Sequence, residues 1–516
     1  MKIPITAFEK EPLKDHCGIV AAFSTDDYPF FETGLKGLRI LQTRGYDGAG
    51  FCAITKFGKT KTYKGIGMVN EVFSDGKRKN FASFPAQQWV YQVRYGTQGI
   101  VNDANVQPVL LKHRDGDWFC VAHNGQFAKD RNKREEKLSD TVLFAQELAR
   151  SREASWDERI VTLLQSKRGA WSLVIATKNG LYLARDPLGI RPLTYGHLID
   201  KKSGELIFCV ASETGALEQM GVTDFFEMLP GTIARYNDQG LHILHQDKPH
   251  QTALCVFENI YIQHGAGRAH LPRKGNRQIN RSPTIDDVRR KSGKILAREA
   301  PIKKSDADII IGVPGTGIEG GMSFARAVNI PYFQAITDIW DEPYEQRTFM
   351  SAKISDIYQK VLDHFHFDAA SLKDRSVVLV DDSIVRGNIT KGLVYLLKKF
   401  YNVHAVHLRI LCPPIDKPCH LGVNTRSAKE LIAARLSGNI EKISKALGAN
   451  SLAFLSVSGL KEAMYTPKNK NGFCTGCMSG EQYPINEFGE PLAHRRKKAT
   501  QIFLYDNVTN PAPILL

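Results

Sequence analysis

The stretch Val377-Val378-Leu379-Val380-Asp381-Asp382-Ser383-Ile384-Val385-Arg386-Gly387 decides the architecture of the second half of the chain. Four successive apolar residues read as a buried strand. Two carboxylates stand at its carboxyl end, where open α/β sheets bind ligands. A short loop closing on glycine leads into a helical pattern from about Asn388, and the free N–H groups of a helix N-terminus suit a phosphate. Adjacent acids suit ribose hydroxyls and Mg2+. Paired acids after a strand are often only a cap, but a cap does not explain the whole run.

Further apolar runs flank this stretch: ADIIIGVP, AVHLRILC and SLAFLSV alternate with helical patterns. That alternation predicts a parallel, doubly wound sheet. Ser427-Ala428-Lys429-Glu430 has the spacing of a capping box opening a helix over KELIAARL. Before about residue 245 the rhythm differs. Short runs such as CGIVAAF, GFCAI and WFCVAHNG are broken by Gly, Asn and Asp, and WSLVIAT and LYLARD flank Lys178-Asn179-Gly180 as a hairpin. One helical face, Phe31, Leu35, Leu38 and Leu41, interrupts the strands. Residues 246–285 read as a connector, and the polar stretch beyond 465 as a tail.

The chain has 516 residues, 42% hydrophobic and 24% charged, which is ordinary globular composition with room for two cores. No apolar run approaches the ~18–20 residues of a membrane helix, and Met1–His16 lacks the apolar stretch of a secretory signal. A cytoplasmic protein with no membrane partner is expected. The formal net charge is +15, and its longest basic cluster is His494-Arg495-Arg496-Lys497-Lys498. No aromatic residues interleave with that cluster, so it reads as a solvated face and no nucleic-acid partner is expected. Nine cysteines in such a chain read as buried residues, a nucleophile or metal ligands, not as a disulfide framework. Cys52, Cys120, Cys209 and Cys412 lie in apolar runs and are read as packing.

Cys17-Gly18-Ile19, Arg44-Gly45-Tyr46-Asp47, Val93-Arg94-Tyr95-Gly96-Thr97, His123-Asn124-Gly125 and Ser139-Asp140 follow one another in the first half. Each alone is weak evidence; an Asn-Gly, for example, is most often a turn. Their order resembles the class II glutamine amidotransferases over roughly residues 17–240. The resemblance implies an N-terminal-nucleophile αββα sandwich. It implies that the Cys17 thiol attacks the glutamine amide, with the free α-amino group of the same residue as base. That amine exists only if residues 1–16 are removed, so the segment reads as a propeptide. The resemblance further implies that the Asn124 side chain and the Gly125 N–H stabilise the oxyanion, while Arg94 binds the substrate carboxylate and Asp140 its ammonium. One departure is Tyr91-Gln92, where the family usually carries Gly-His.

The stretch 377–387 resembles the phosphoribosyl-diphosphate motif of type I phosphoribosyltransferases, and its DDSIVRG form resembles the amidophosphoribosyltransferase family. Arg185-Asp186-Pro187-Leu188-Gly189-Ile190-Arg191-Pro192 and Gly312-Val313-Pro314-Gly315-Thr316-Gly317 extend the resemblance across nearly the whole chain. It implies an α+β glutaminase domain over 17–245, the connector, an α/β phosphoribosyltransferase domain over 286–465 and a tail over 466–516. Asp381, Asp382, Ser383, Arg386 and Gly387 would bind the phosphoribosyl group, and Thr316, Asp381 and Asp382 would bind Mg2+. Asp341-Glu342-Pro343-Tyr344-Glu345-Gln346-Arg347 stands where the family has a basic loop, and Asn388-Ile389 where it has two threonines.

Cys474-Thr475-Gly476-Cys477 is a CxxC near the C-terminus. Alone it is compatible with redox, metal-binding or accidental roles. Cys255 and Cys419 match cluster ligands in one branch of the resembled family, which implies a [4Fe–4S] cluster on Cys255, Cys419, Cys474 and Cys477. Four thiolates equally suit zinc.

The expected activity is transfer of ammonia from glutamine to phosphoribosyl diphosphate, giving 5-phosphoribosylamine. The resemblance also implies nucleotide effectors and a homo-oligomer. Two other readings remain open: a paralogue with the same ammonia chemistry and another phosphorylated acceptor, and a nucleotide-sensing protein with an inactive transferase half.

Overall fold

The computed structural model describes residues 17–95, 103–129, 138–247, 252–272, 278–339, 361–362, 364–423, 425, 427–464 and 472–492. The segment 1–16 read as a propeptide, Gly96-Thr97, the acidic stretch 341–347 and the basic cluster 494–498 lie outside them.

Two antiparallel sheets face each other in the first half. The seven-stranded sheet runs, edge to edge, Phe225–Glu227, Thr194–Ile199, Leu206–Ala211, Gly18–Tyr28, Ala86–Arg94, Gly48–Ile54 and Thr60–Gly65. The six-stranded sheet runs Gly240–Gln246, Thr232–Asn237, Gly180–Arg185, Gly169–Thr177, Trp118–Phe127 and Val109–Lys112. Strand side chains alternate between faces, and this alternation builds three apolar layers. Ile19, Ala21 and Phe23 meet Cys120, Ala122 and Val174 between the sheets. Val20, Ala22, Trp89 and Tyr91 pack outward on the helix Phe31–Ile40, and Val121, Leu173 and Ile175 on the helices Asp140–Ala149 and Trp156–Gln165. The result is the αββα sandwich, with the expected hairpin Thr177↔Gly180 in place.

The second half holds a four-stranded parallel sheet in the order Ile309–Gly312, Ser376–Asp381, Ala405–Ile410, Ser451–Phe454. Helices Ile285–Glu299, Ile318–Val328 and Asn388–Lys399 flank it. All four runs read as strands from the sequence occupy it, because parallel strands buried on both faces are continuously apolar.

The capping box at Ser427 is corrected. Ser427 caps nothing with its side chain; a single 3-10 turn, Ala428–Glu430, is followed by extended Leu431 (φ −85°, ψ 120°) and the short helix Ile432–Arg435. Glu430 pairs instead with Arg386 at 2.6 Å, so a tertiary ion pair takes the carboxylate that the motif needed.

Within the connector, Ala253–Ile260 is buried in a core shared with the parallel sheet. Leu254–Cys255 pairs in parallel with Phe473–Cys474. Among the described residues no helix is long and apolar enough to cross a membrane.

Candidate active site

Cys17 precedes the first strand and is buried. Its register neighbours explain what faces it. Gly18 pairs with Val93 and Ile19 with Gln92, so the inward positions of the neighbouring strand are Gln88, Val90, Gln92 and Arg94. Burial pushes the Cys17 thiol up; a hydrogen bond at the Tyr95 backbone and the Arg94 charge draw it down, Asp140 raises it, and the Gln92 amide draws it down. Gln92 and Arg94, from one strand, and Asp140, from a distant helix start, therefore all act on the thiol.

Asn124 lies on the opposite sheet, on the same inward side as Cys120 and Ala122. It is fully buried, and among the described residues neither amide atom has a hydrogen-bond partner. An unpaired buried amide costs about 1–3 kcal/mol, so a polar group with no internal partner points to one supplied by a ligand. Gly125 has φ +131°, and a Cβ there would collide with the Ala170 carbonyl, so only glycine fits. Asp140 opens the helix Asp140–Ala149; its carboxylate accepts from Phe127 N (3.1 Å) and Thr141 N (2.8 Å). These bonds fix it beside the strand that carries Asn124 and Gly125.

Arg44, Glu213, Glu258 and Arg191 form a fully buried network that sequence reading left unassigned. Arg44 pairs with Glu213 and, at 2.6 Å, with Glu258; Arg191 pairs with Glu258 at 3.1 Å and donates to the Leu421 carbonyl. A Cβ on Gly422 would stand 2.9 Å from Arg191 Nη2 and 3.4 Å from the Gly125 carbonyl carbon. The segment after Cys419 thus lies against Gly125. The signature 185–192 is structural: Asp186 accepts from Leu188 N (3.0 Å), Ile190 N (3.1 Å) and Arg191 N (3.2 Å), setting the turn that aims Arg191. Arg44 and Arg191 stand in motifs legible in the sequence, but nothing local pairs them with Glu213 and Glu258.

In the parallel sheet, Asp381 and Asp382 close the strand Ser376–Asp381. Burial and the Asp382 charge hold Asp381 well above the carboxylate range. Burial raises Asp382 too, opposed by the Thr316 hydroxyl and the Arg289 charge. Among the described residues Asp382 Oδ2 is buried without a hydrogen-bond partner. Ser383 donates to Asp382 Oδ1 at 3.0 Å. Gly387, left-handed at φ +82°, caps the helix Asn388–Lys399. Gly315, also left-handed at +83°, turns the chain before the helix Ile318–Val328. Two helix N-termini and two acids therefore meet at the carboxyl ends of two neighbouring strands. Ile389 packs partly into the core, and Arg386 is engaged by Glu430.

The four cysteines come together. Cys255 and Cys474 face each other in register. The Cys477 carbonyl accepts from Asp416 N and Lys417 N at 3.1 and 3.2 Å, bringing the CxxC beside Cys419, whose Sγ accepts from Leu421 N at 3.3 Å. Burial raises Cys477, with Cys419, Cys255, Cys474 and Cys412 adding to it. Burial pushes Cys255 up to about 11 against the nearby Arg191 charge. Among the described residues no three His, Cys, Asp or Glu side chains converge tightly enough to hold a metal ion as they stand.

Comparison with known proteins agrees with this layout. Residues 95–219 match the glutamine amidotransferase domain family. A chloroplastic amidophosphoribosyltransferase of Glycine max is 33% identical, covering 92% of this chain and 79% of its own. That of Archaeoglobus fulgidus is 30% identical over 92% and 99%. The solved glutamine phosphoribosylpyrophosphate amidotransferase of Bacillus subtilis, complexed with ADP and GMP, superposes with a TM-score of 0.77 at 28% identity, covering 92% of this chain and 99% of that one. The chain belongs to the amidophosphoribosyltransferase family, glutamine-dependent enzymes of the first step of purine synthesis.

Proposed function

We propose that the chain performs this reaction with Cys17 as nucleophile, releasing ammonia between the two sheets of the sandwich for use at Asp381-Asp382. The carrying observation is that Cys17 and Arg94 are buried with Asn124 facing them from the other sheet, its amide without a partner among the described residues, and that the half-buried Asp140 acts on the same thiol. Arg94 binds the glutamine carboxylate and Asp140 its ammonium, while Asn124 and the Gly125 N–H receive the oxyanion. The Cys17 amine acts as base once residues 1–16 are removed. Arg386 and Gly387 take part in holding the phosphoribosyl group, with Ser383 beside them.

Two groups are implied by this reading. Thr316, Asp381 and Asp382 suit Mg2+: two acids held up by burial and each other, one with an unpartnered oxygen, gain from a divalent cation. The ion would offset the charge of the pyrophosphate. Cys255, Cys419, Cys474 and Cys477 suit a [4Fe–4S] cluster: four neighbouring thiols that raise one another's pKa need a positive centre to ionise. Such a cluster would pin the tail to the connector. Regulation by purine nucleotides is proposed from the Bacillus subtilis complex with ADP and GMP, together with assembly into a homo-oligomer in the cytoplasm.

Pyrophosphate release from phosphoribosyl diphosphate, measured with glutamine and then with ammonia, tests the reading. Cys17→Ala is expected to abolish the glutamine-dependent rate and keep the ammonia-dependent one. Glutamine hydrolysis without pyrophosphate release under either condition would favour a different acceptor, a reading that Ile389 and the Glu430–Arg386 pair keep open.

A further inference from the structure

Gln92 occupies a place that an apolar residue would fill at lower cost. The inward positions of the strand Ala86–Arg94 are Gln88, Val90, Gln92 and Arg94. Gln88 donates to the Thr177 carbonyl at 2.7 Å. Gln92 is fully buried, yet among the described residues neither its Oε1 nor its Nε2 completes a hydrogen bond of good geometry. The register explains this. Its cross-strand neighbours are Ile19 on one side and Gly50 on the other, and neither offers a polar side-chain atom. The reactive group that the amide does face is the Cys17 thiol. A leucine would be close in size and would remove the cost of an unpaired buried amide. Buried groups left unsatisfied in a well-packed strand mark sites where function outweighs stability.

We propose that Gln92 is the positioning residue of the nucleophile, its Nε2–H donating to Cys17 Sγ and holding it toward the substrate amide. This rests on the reading of Cys17 as the nucleophile. Arg94, two residues along on the same face, belongs to the same layer, so one strand presents both the substrate clamp and the thiol's orienting group. The carboxamide is neutral at every working pH. It orients the sulfur by donation alone and takes no proton from the thiol.

The test compares wild type, Gln92→Leu, Gln92→His and Cys17→Ala, each as the otherwise intact protein beginning at residue 17. Four readouts are needed: glutamine hydrolysis (kcat and KM), the pH profile of Cys17 alkylation by iodoacetamide, ammonia-dependent pyrophosphate release, and the thermal midpoint. Gln92→Leu is expected to lower kcat for hydrolysis by roughly 10- to 100-fold with KM within about threefold, as for loss of an interaction used in the transition state. Its alkylation profile should move to higher pH, while ammonia-dependent release stays at wild-type level and the midpoint is unchanged or higher. Gln92→His, which keeps a ring N–H donor, should recover most of the kcat. Wild-type kcat and an unmoved alkylation profile in Gln92→Leu would overturn the proposal. So would a lowered midpoint with equal losses in both activities, which is the mark of a packing role. Hydrolysis that survives Cys17→Ala would overturn the nucleophile reading and this inference with it; hydrolysis lost in Cys17→Ala but intact in Gln92→Leu overturns the inference alone.

Discussion

Arg191 and Glu258 form an ion pair at 3.1 Å with no exposed surface on the guanidinium. One comes from the glutaminase half and the other from the segment between the halves. Glu258 also holds Arg44, and Arg191 also holds the Leu421 carbonyl. Arg191→Met should therefore leave Glu258 half-compensated and a carbonyl unpaired. Breaking a buried pair by removing one partner costs about 3–5 kcal/mol. The expected outcome is a clearly lowered denaturation midpoint, read by circular dichroism, with loss of both glutamine- and ammonia-dependent rates.

Glu227 gives stability a defined acid limb. Burial pushes its carboxyl up, but His270 and Arg185, both at 2.8 Å, outweigh it and hold it at about 2. A carboxylate depressed in the folded state contributes fully above its unfolded pKa, about 4.3, and loses that contribution as pH falls toward its folded value. The contribution lost between about pH 5 and pH 2 is of order 3 kcal/mol. Glu227→Gln should be less stable at neutral pH and show a flatter decline over that window in denaturant titrations.

Asn124→Ala should lower kcat for glutamine hydrolysis by about 100-fold or more, the usual loss for one oxyanion donor. Because its amide has no hydrogen-bond partner among the described residues, removing it should not destabilise the fold. A large drop in melting temperature would instead make Asn124 a structural residue.

Cys474→Ser tests the thiol cluster apart from chemistry. Protein purified without oxygen should be brown and carry about four irons, by the composition of a cubane. The variant should lose the colour and expose the tail to proteolysis, since Cys474 lies in the strand pair joining the tail to Cys255. One equivalent of zinc and no iron in wild type would refute the iron–sulfur assignment.

Asp381→Asn should abolish pyrophosphate release with either nitrogen source and leave basal glutamine hydrolysis within about twofold. The acid pair lies on the parallel sheet, whereas Cys17 opens a strand of the sandwich, and distant sites act independently.

Local pattern determined much of this protein. Period-two alternation identified the sandwich strands and continuous apolar runs the parallel ones. These features follow from chain geometry over a few residues. Tertiary structure decided the rest. Glu430 was read as a helix cap, because a capping box depends only on spacing; its pairing with Arg386 depends on where a distant loop arrives. Arg44, Arg191, Glu213 and Glu258 have no visible partners in the sequence until four stretches are folded around them. The mutual approach of Cys255 and Cys474 likewise comes from a parallel pairing of strands far apart in the chain. Charge and thiol chemistry are set by what surrounds a group in space, and a sequence carries that information only through the whole fold.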